Sequence, residues 1–460
     1  MAFPCPTFRK GDPEYEQTRC NAVWNGHKPE RYPDIIIQVN TEEDVVAAVK
    51  YAWGEGMKIG VRSGGHSWTA SFLRDAGMLI DVSKLNGIAV DPKAGTAVVG
   101  PGTHGGDLNG KLQPHGYMFP GGHCPTVGLG GYLLQGGFGW NSRLYGLGCE
   151  SVIAVDVVLP DGTLVHADAD NYSDLYWAAR GAGHGFFGVV THFHLRCHPL
   201  PKAIMNSRFW FSVDHLDELI STLDDAHELF PRFLELFLLI GHDQEGTPGL
   251  SAHVRADVLA TSDSDARQAL SNLHGLPIFA KARKTDLFRV LDLSILLDDV
   301  GELLEVGNAE FVVDNTWMNE PVRNVLPQIH DIVDKLGPAP AHLSFQYWNR
   351  NGRPIPDMAH SLEGKVYISH LAIYVDPKDY EKWARIVPAG IGRLAKKGVG
   401  SQLADENLLR RPTRFMSPAN FLRLEKIRRK YDPTRRFHGF MALTKEDKLV
   451  EVQVQSEMDA

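Results

Sequence analysis

The sequence has no hydrophobic stretch long enough to cross a membrane. None of its apolar runs reaches the roughly eighteen residues that a membrane-spanning helix needs. The first residues, MAFPCPTFRKGD, also lack the apolar core of a signal peptide. We therefore expect a cytoplasmic protein that has no membrane partner.

The sequence also has no long block of charge of one sign. Its net charge is −9, from 47 basic and 56 acidic residues that are spread along the chain. Proteins that bind nucleic acid or anionic membranes normally carry a concentrated basic patch. We therefore expect neither kind of partner, and we expect the chain to act as a monomer on a small molecule.

Cysteine is scarce, with five residues in 460. A small, odd number in a long chain is not typical of a disulfide framework. Cys5 and Cys20 could pair in an oxidising compartment, whereas Cys149 and Cys197 lie in apolar, strand-like surroundings. Cys124 differs from these four because it stands at the head of a glycine-rich stretch.

Two nucleotide-binding motifs are absent. The chain has no P-loop and no N-terminal G-x-G-x-x-G between a strand and a helix. The spaced glycines within 181–185 follow a predicted helix and indicate a turn. A Rossmann-type NAD site is therefore not expected.

Glycine is abundant, with 45 residues. Its densest stretch, 121–150, is nearly free of charge and has Cys124 near its start, and an earlier loop, 61–68, reads VRSGGHSW and contains His66. Glycine lets a backbone approach a ligand closely, and successive N–H groups form anion-binding nests. One imidazole, one thiol and two such loops predict a site for a large, flat, phosphate-bearing cofactor held by covalent links.

The two motifs, RSGGHSW at 62–68 and GGHCPTVGLGGYLLQGGFG at 121–139, resemble the berberine-bridge-enzyme-like branch of the vanillyl-alcohol-oxidase (VAO) flavoproteins, which have a PCMH-type FAD-binding domain. Similar segments follow at 156–162, 174–188 and 420–433, so the resemblance covers nearly the whole chain. It implies one FAD, bound covalently through His66 at the 8α-methyl group and through Cys124 at C6. Attachment through His66 alone is the alternative. The cofactor-binding positions that it implies are Arg62, Ser63, Gly64, Gly65, His66, Ser67, Cys124, Val127, Gly128, Gly130, Gly131, Gly139, Val190 and Asn420.

The length of the chain exceeds the usual size of one hydrophobic core, so two domains are expected. The N-terminal part begins strand–helix–strand, with Thr41 and Asp44 as a capping box, which predicts parallel strands. Strands predicted after residue 205, at 308–317, 341–348 and 365–375 among others, indicate an antiparallel sheet backed by helices. The predicted fold is α+β, a two-domain PCMH/VAO-type flavoprotein. Its predicted parts are an FAD-binding domain over 1–205 with a PCMH-type core at about 28–200, a substrate domain over 206–410, and a segment over 411–460 that returns to the first domain.

The residue that would remove the substrate proton differs from those of the resembled family. Two tyrosine positions of the family hold Phe138 and Met416 here. Relatives also place a glutamate or glutamine on a substrate-domain strand, and the corresponding places here are Ile368 and His370. Because imidazole titrates near neutrality, His370 is the predicted base, with a hydrogen-bonded structural histidine as the alternative. The predicted neighbours in the pocket are Tyr132, Gln346, Trp348 and Tyr367.

These residues and the resemblance predict an FAD-dependent oxidase. A C–H bond of an alcohol, sugar or natural product gives hydride to flavin N5, and dioxygen is reduced to hydrogen peroxide. Val127 stands where the family lines the path of dioxygen, and its small side chain resembles the oxidases. A dehydrogenase with another electron acceptor, and a flavin-binding protein that has lost catalysis, are the alternatives. His192 and His194 form an H-x-H pair, but no third ligand can be named from the sequence, so no metal site is predicted.

Overall fold

The computed structural model describes residues 3–243, 246–304, 309–348 and 350–459. Helices alternate with β-strands along the whole of this length. The helices are α1 (Tyr15–Asn21), α2 (Glu42–Gly54), α3 (Gly105–Leu112), α4 (Leu129–Leu134), α5 (Ser142–Tyr145), α6 (Ser173–Ala179), α7 (Leu216–Ala226), α8 (Asp263–His274), α9 (Leu293–Leu304), α10 (Leu326–Val333), α11 (Tyr380–Leu394), α12 (Pro418–Tyr431) and α13 (Lys445–Asp459).

The first sheet is mostly parallel, as the N-terminal pattern predicts. Its strands are β1 (Thr7–Arg9), β2 (Ile35–Gln38), β3 (Ile59–Arg62) and β4 (Met78–Asp81). Strands β2 and β3 both pair in parallel with β4, and α2 connects them. Thr41 and Asp44 form the predicted capping box at the start of α2. Because β3 ends at Arg62, the loop with His66 begins at the carboxyl end of a parallel strand.

The second sheet has five antiparallel strands. They are β5 (Ile88–Asp91), β6 (Thr96–Val99), β8 (Val152–Val158), β9 (Leu164–Ala167) and β10 (Val189–Arg196), in the spatial order β5-β6-β10-β8-β9. Two short strands, β7 (Tyr117–Met118) and β11 (His198–Pro199), pair separately. The glycine-rich stretch lies between β7 and β8 and forms only the short helices α4 and α5 and a turn of 3-10 helix.

The third sheet has seven strands, and all of its pairs are antiparallel, which confirms the prediction for the second half of the chain. The strands are β12 (Ala203–Ser212), β13 (Leu234–His242), β14 (Leu250–Ala260), β15 (Lys284–Leu291), β16 (Glu310–Met318), β17 (His342–Tyr347) and β18 (Val366–Tyr374). Their order is β15-β12-β14-β13-β17-β18-β16. The predicted strand over 308–317 corresponds to β16, although its first residue, Asn308, lies outside the described residues.

Helices cover one face of the seven-stranded sheet. Apolar side chains of α7, α8, α10 and α11 pack with alternate residues of the strands, such as Leu238 and Phe345, in one hydrophobic core. This is the period-two burial expected for a sheet that packs against helices on one side. The opposite face of the sheet is therefore free to form one wall of a cavity.

A second core surrounds the first two sheets, and the C-terminal part of the chain contributes to it. Phe421 and Leu424 of α12 pack there with Phe437, whose backbone forms a bridge to Ile59 of β3. This packing supports the predicted return of the C-terminal segment. The exact domain boundaries stay a prediction.

Two further observations concern membranes and disulfides. Within the described ranges, no helix combines the length and the apolar character that crossing a membrane requires. All five cysteines are free thiols, and Cys5 and Cys20 do not form the disulfide that the sequence left open.

Candidate functional site

A cavity of about 440 Å³ lies against the free face of the seven-stranded sheet. This volume is within the range of small-molecule and cofactor sites. Its other walls come from the loop after β3, the glycine-rich stretch, and the start of β10. The residues predicted to bind the cofactor that line it are Ser63, Gly64, Gly65, His66, Ser67, Cys124, Val127, Gly128, Gly130, Gly131 and Val190.

The two glycine loops touch each other through their backbones. A Cβ atom on Gly64 would lie 2.6 Å from the Gly128 nitrogen, and one on Gly128 would lie 2.6 Å from the Gly64 nitrogen. Any side chain at either position would push the loops apart. Gly65 has a φ of +77°, a conformation that other residues rarely adopt. These glycines bring the His66 loop and the Cys124 loop together.

His66 and Cys124 share one neighbour, the hydroxyl of Thr126. The Thr126 oxygen lies 3.1 Å from His66 Nε2 and 3.3 Å from Cys124 Sγ. The ring of Trp24 stacks on His66 with centroids 4.6 Å apart. Burial lowers the pKa of His66 to about 4, so its imidazole is neutral near pH 7. A neutral ring has the free electron pair that a bond to an electrophilic carbon requires.

The sheet wall of the cavity consists of side chains spaced two residues apart on five neighbouring strands. Because side chains alternate between the faces of a strand, these residues share one face. They are Phe237, Leu239, Arg255, Val313, His342, Ser344, Gln346, Tyr367, Ser369 and Leu371. Two of the predicted pocket residues, Gln346 and Tyr367, belong to this wall.

His370 does not occupy the position that we predicted for it. It lies on the other face of β18, is fully buried, and pairs across the sheet with Asp314 and Leu343. Its ring nitrogens have no hydrogen-bond partner in the described part of the chain, and burial lowers its pKa to about 3. The alternation of side chains along β18 correctly predicts which residues share a face of the strand. It does not predict which of the two faces lines the cavity. Helix α11 packs against β16 and β18 on the face that carries His370, so the other face lines the cavity.

Tyr367 lies at the cavity wall in a hydrogen-bonded pair with Asp405. Its hydroxyl donates to Asp405 Oδ2, and Trp68 Nε1 donates to Oδ1 at 2.6 Å. Burial raises the pKa of Asp405 above its usual range, although both hydrogen bonds oppose the shift. Burial also raises the pKa of Tyr367, and the neighbouring Asp405 charge adds to the shift. A carboxylate held in this way at a cavity is suited to accept a proton.

Tyr132 and Gln346 both line the cavity, with different partners, whereas Trp348 is buried against Phe138 and does not line it. The Tyr132 hydroxyl donates to the Pro120 carbonyl at 2.6 Å, and burial raises its pKa well above the usual value. Tyr132 therefore stays protonated and supports the glycine-rich stretch. The Nε2 atom of Gln346 has no partner among the described residues, so it can donate to a ligand.

Three predicted cofactor-binding residues do not line the cavity. Arg62 forms an ion pair with Asp81 at 3.0 Å and donates to a backbone carbonyl, which holds its guanidinium within the protein. Gly139 is needed for packing, because a Cβ there would lie 2.0 Å from the Gly121 carbonyl oxygen. Asn420 lies in the first turn of α12, and its side chain donates to the Met358 carbonyl at 2.8 Å.

The sequence reasoning missed Trp24, Thr126 and Asp405. Thr126 lies in the recognised glycine-rich stretch and is separated from Cys124 by one residue, so its place beside the thiol could have been inferred. Trp24 and Asp405 carry no local signal. Their roles depend on contacts with residues far away in the chain, His66 for Trp24 and Tyr367 for Asp405.

Unpartnered polar atoms in the cavity wall indicate that the site suits a ligand such as FAD. Both ring nitrogens of His184 and the Nε2 atoms of Gln346 and Gln402 are buried without a partner in the described ranges. Such groups cost about 1–3 kcal/mol each unless a ligand satisfies them. A long, partly polar, partly aromatic molecule fits this wall and the glycine loops opposite it.

Comparisons with known proteins agree with this architecture. Residues 33–168 match a family model described as an FAD binding domain. Among curated proteins, the chain is 33% identical over 440 residues to the FAD-linked oxidoreductase nodO of Hypoxylon pulicicidum, covering 93% of this chain and 95% of that protein.

Solved structures have the same fold at low sequence identity. The 6-hydroxy-D-nicotine oxidase of Arthrobacter nicotinovorans superposes with a TM-score of 0.82 at 22% identity, covering 96% of this chain and 98% of the other. The protein Phl p 4 has a TM-score of 0.79 at 21% identity, covering 95% and 96%. Its wild type is described as a glucose dehydrogenase and an isoleucine-to-valine variant as a glucose oxidase, so the fold accommodates both activities.

Fold and site together define a two-domain flavoprotein of the VAO/PCMH type. The chain belongs to the family of FAD-linked oxidoreductases.

Proposed function

We propose that this protein is an FAD-dependent oxidase that holds its flavin covalently and oxidises a small molecule at a C–H bond next to oxygen or nitrogen. One observation carries the proposal. A single cavity brings the two side chains predicted to hold the cofactor together with a hydrogen-bonded Tyr367–Asp405 pair.

His66 and Cys124 are the residues that would hold the FAD. His66 is neutral at physiological pH, and Thr126 and Trp24 fix the orientation of its ring. The Thr126 hydroxyl also contacts the Cys124 sulfur and can stabilise its thiolate by donating a hydrogen bond. The backbone N–H groups of 63–67 would bind the phosphates.

When bound, FAD would supply the acceptor for a hydride from the substrate and the route for the electrons to dioxygen. The protein supplies the base for the accompanying proton. We propose that Tyr367 accepts the substrate O–H or N–H proton while its own proton passes to Asp405. The hydrogen bond already present between these residues is the path for that transfer. Gln346, with its unpartnered amide group in the same wall, would orient the substrate.

Dioxygen is the proposed electron acceptor because Val127 lines the cavity beside Gly122, where two small residues leave space. A dehydrogenase that uses another acceptor is the second candidate, since proteins with this fold include both classes. The Tyr367–Asp405 pair argues against a protein that has lost catalysis, because it offers a proton acceptor in place of the absent family tyrosines.

The test is a two-stage experiment on the purified protein. Alcohols, sugars and alkaloid-like amines are screened under anaerobic conditions for bleaching of the flavin absorption, and dioxygen is then admitted. An oxidase recovers its absorption rapidly and forms one hydrogen peroxide per substrate oxidised. Slow recovery combined with fast reaction with an artificial acceptor would identify a dehydrogenase. No bleaching by any compound of the three classes would count against the catalytic proposal.

A further inference from the structure

Three metal-ligating side chains meet on the five-stranded sheet. Asp156 lies on β8, His166 on β9 and His194 on β10, and one ligand atom of each lies within 4.8 Å of the others. His166 Nδ1 is 2.6 Å from Asp156 Oδ1, and His194 Nε2 is 3.0 Å from Asp156 Oδ2. None of these three residues lines the cavity, so the cluster is separate from the flavin site.

Strand pairing holds the cluster in place. Asp156 is directly opposite His166 across the β8–β9 pair, and His194 is opposite Ala154 across the β8–β10 pair. The three side chains therefore come from adjacent, hydrogen-bonded strands and lie on one face. Because the strands already hold these three side chains close together, metal binding would cost little conformational entropy.

The charges around the cluster favour a cation. His192 Nδ1 lies 3.6 Å from the Asp156 carboxylate and 3.4 Å from Glu42, and His166 Nε2 lies 3.7 Å from Asp168. The Asp156, His166 and His194 side chains are 23%, 50% and 25% exposed, which leaves a route for an ion and a water molecule.

We propose that Asp156, His166 and His194 form a binding site for a divalent transition metal ion, Zn²⁺ in particular. Two imidazole nitrogens and one carboxylate oxygen, with water or His192 as a fourth ligand, are a common tetrahedral zinc set. Bonds from His166 Nδ1, His194 Nε2 and an Asp156 oxygen to the metal would replace the two present His–Asp contacts, and each neutral ring would carry its single proton on its other nitrogen. The bound ion connects β8, β9 and β10 and stabilises the sheet.

The experiment uses the untagged full-length holoprotein and measures the affinity for Zn²⁺ alone by competition with a chromophoric chelator. Co²⁺ is the spectroscopic probe, because its tetrahedral ligand-field bands lie at longer wavelengths than flavin absorption. We expect one tight site per chain and a higher thermal unfolding midpoint with Zn²⁺. His166→Ala or His194→Ala should weaken Zn²⁺ binding at least ~100-fold, because loss of a residue that only supports a metal ligand already weakens binding by up to about that factor. Either change should also abolish the tetrahedral Co²⁺ spectrum.

The matched control is His330→Ala. His330 forms a comparable exposed pair with Asp217 at 2.7 Å, so this change removes a surface His–Asp contact outside the cluster. It should leave Zn²⁺ affinity unchanged. Asp156→Asn, which keeps the size of the side chain and removes its charge, should weaken binding as the histidine changes do. Absence of a tight site, or a site that survives both histidine changes, would overturn the proposal.

Discussion

The side chains of His66 and Cys124 both contact the hydroxyl group of Thr126. The distances of 3.1 and 3.3 Å place an imidazole and a thiol on the same side of the cavity, close enough to contact one ligand at two points. A flavin attached through His66 alone would not require Cys124 to lie near His66, nor Thr126 to contact both side chains. This proximity supports the proposal that both residues, rather than His66 alone, hold the flavin.

The first prediction concerns retention of flavin. The unaltered protein should keep its yellow colour through acid precipitation, because covalently held flavin cannot dissociate on unfolding. Either single change, His66→Ala or Cys124→Ala, should leave one link and an acid-stable flavin, whereas the double change should release all of it. Cys197→Ala, at a buried thiol that is not part of the cavity wall, is the control and should retain the flavin. Flavin set free from the unaltered protein would refute covalent attachment.

The second prediction concerns Val127. A Cβ atom built on Gly122 would lie 3.5 Å from Val127 Cβ, so the two residues are neighbours in the cavity wall, and Val127→Leu adds a methylene group there. Reoxidation of reduced flavin by dioxygen should slow by more than reduction by substrate does, measured by stopped-flow in the two half-reactions. Val190→Leu, also at the cavity wall, is the comparison for a general effect of size. Equal rates in both half-reactions would make Val127 a packing residue.

At the scale of elements, β18 determines which side chains serve the site. Tyr367, Ser369 and Leu371 face the cavity, while Ile368 and His370 face the helices. The same strand thus contributes to the cavity wall on one face and to a hydrophobic core on the other. The neighbouring 3-10 turn, Leu403–Asp405, brings the partner of Tyr367 from a segment outside the sheet.

The third prediction tests this pair. Tyr367→Phe removes the hydroxyl, and Asp405→Asn keeps an acceptor for Trp68 but cannot take up the proton. Either change should slow flavin reduction by ~10²–10⁴-fold, the usual cost of losing a general base, while flavin content and spectrum stay intact. Ile368→Val, on the other face of the same strand, should leave the rate unchanged. Full activity in Asp405→Asn would exclude the pair as the proton acceptor.

The fourth prediction is the pH dependence of the same step. Asp405 must be ionised to accept a proton, and burial raises its pKa above the usual range. The rate of flavin reduction should therefore be full at higher pH and fall as pH decreases through this raised pKa. Asp405→Asn should remove that limb of the profile. A limb that persists unchanged in the variant would assign the ionisation to another group.

At the scale of the whole molecule, many histidines are buried in the neutral form. Burial lowers the pKa values of one group to about 3 or 4, and its members are His66, His184, His198, His360, His370 and His438. In the unfolded chain these values are about 6.5. Between about pH 4 and 6.5, the unfolded chain therefore binds more protons than the folded protein does. Stability should fall as pH falls through this window.

The fifth prediction is acid destabilisation between about pH 6.5 and 4. Each such histidine contributes a slope of up to ~1.4 kcal/mol per pH unit, measurable by urea unfolding at a series of pH values. Buried carboxyls such as Glu406 and Glu425, whose pKa burial raises, act in the opposite direction and reduce the slope. His198→Gln, which keeps a polar group beside Ser151, should also reduce it. A free energy of unfolding that rises as pH falls would contradict this account.

Local patterns in the sequence were sufficient for much of the fold. The capping box at Thr41 and the parallel strands around α2 follow from residues close together in the chain, as does the antiparallel sheet of the second half. The glycine loops were also recognisable, because glycine is required wherever two backbones meet as closely as Gly64 and Gly128 do. In each case the structure depends on residues close together in the chain, so it can be recognised from a short stretch of sequence.

The proposed proton acceptor, the Tyr367–Asp405 pair, could not be found from local sequence patterns. Periodicity placed 368, 370 and 372 together on one face of a strand, but the packing of α11 decided that this face is the buried one. Asp405 became visible only when a distant turn met Tyr367, and the Asp156–His166–His194 cluster only when three strands paired. The sequence by itself determined the elements, the cofactor class and the glycine loops, because these depend on neighbours along the chain. The tertiary structure decided which face of β18 lines the cavity and which side chains meet as the proposed proton acceptor and the proposed metal ligands, because those depend on contacts between residues far apart in sequence.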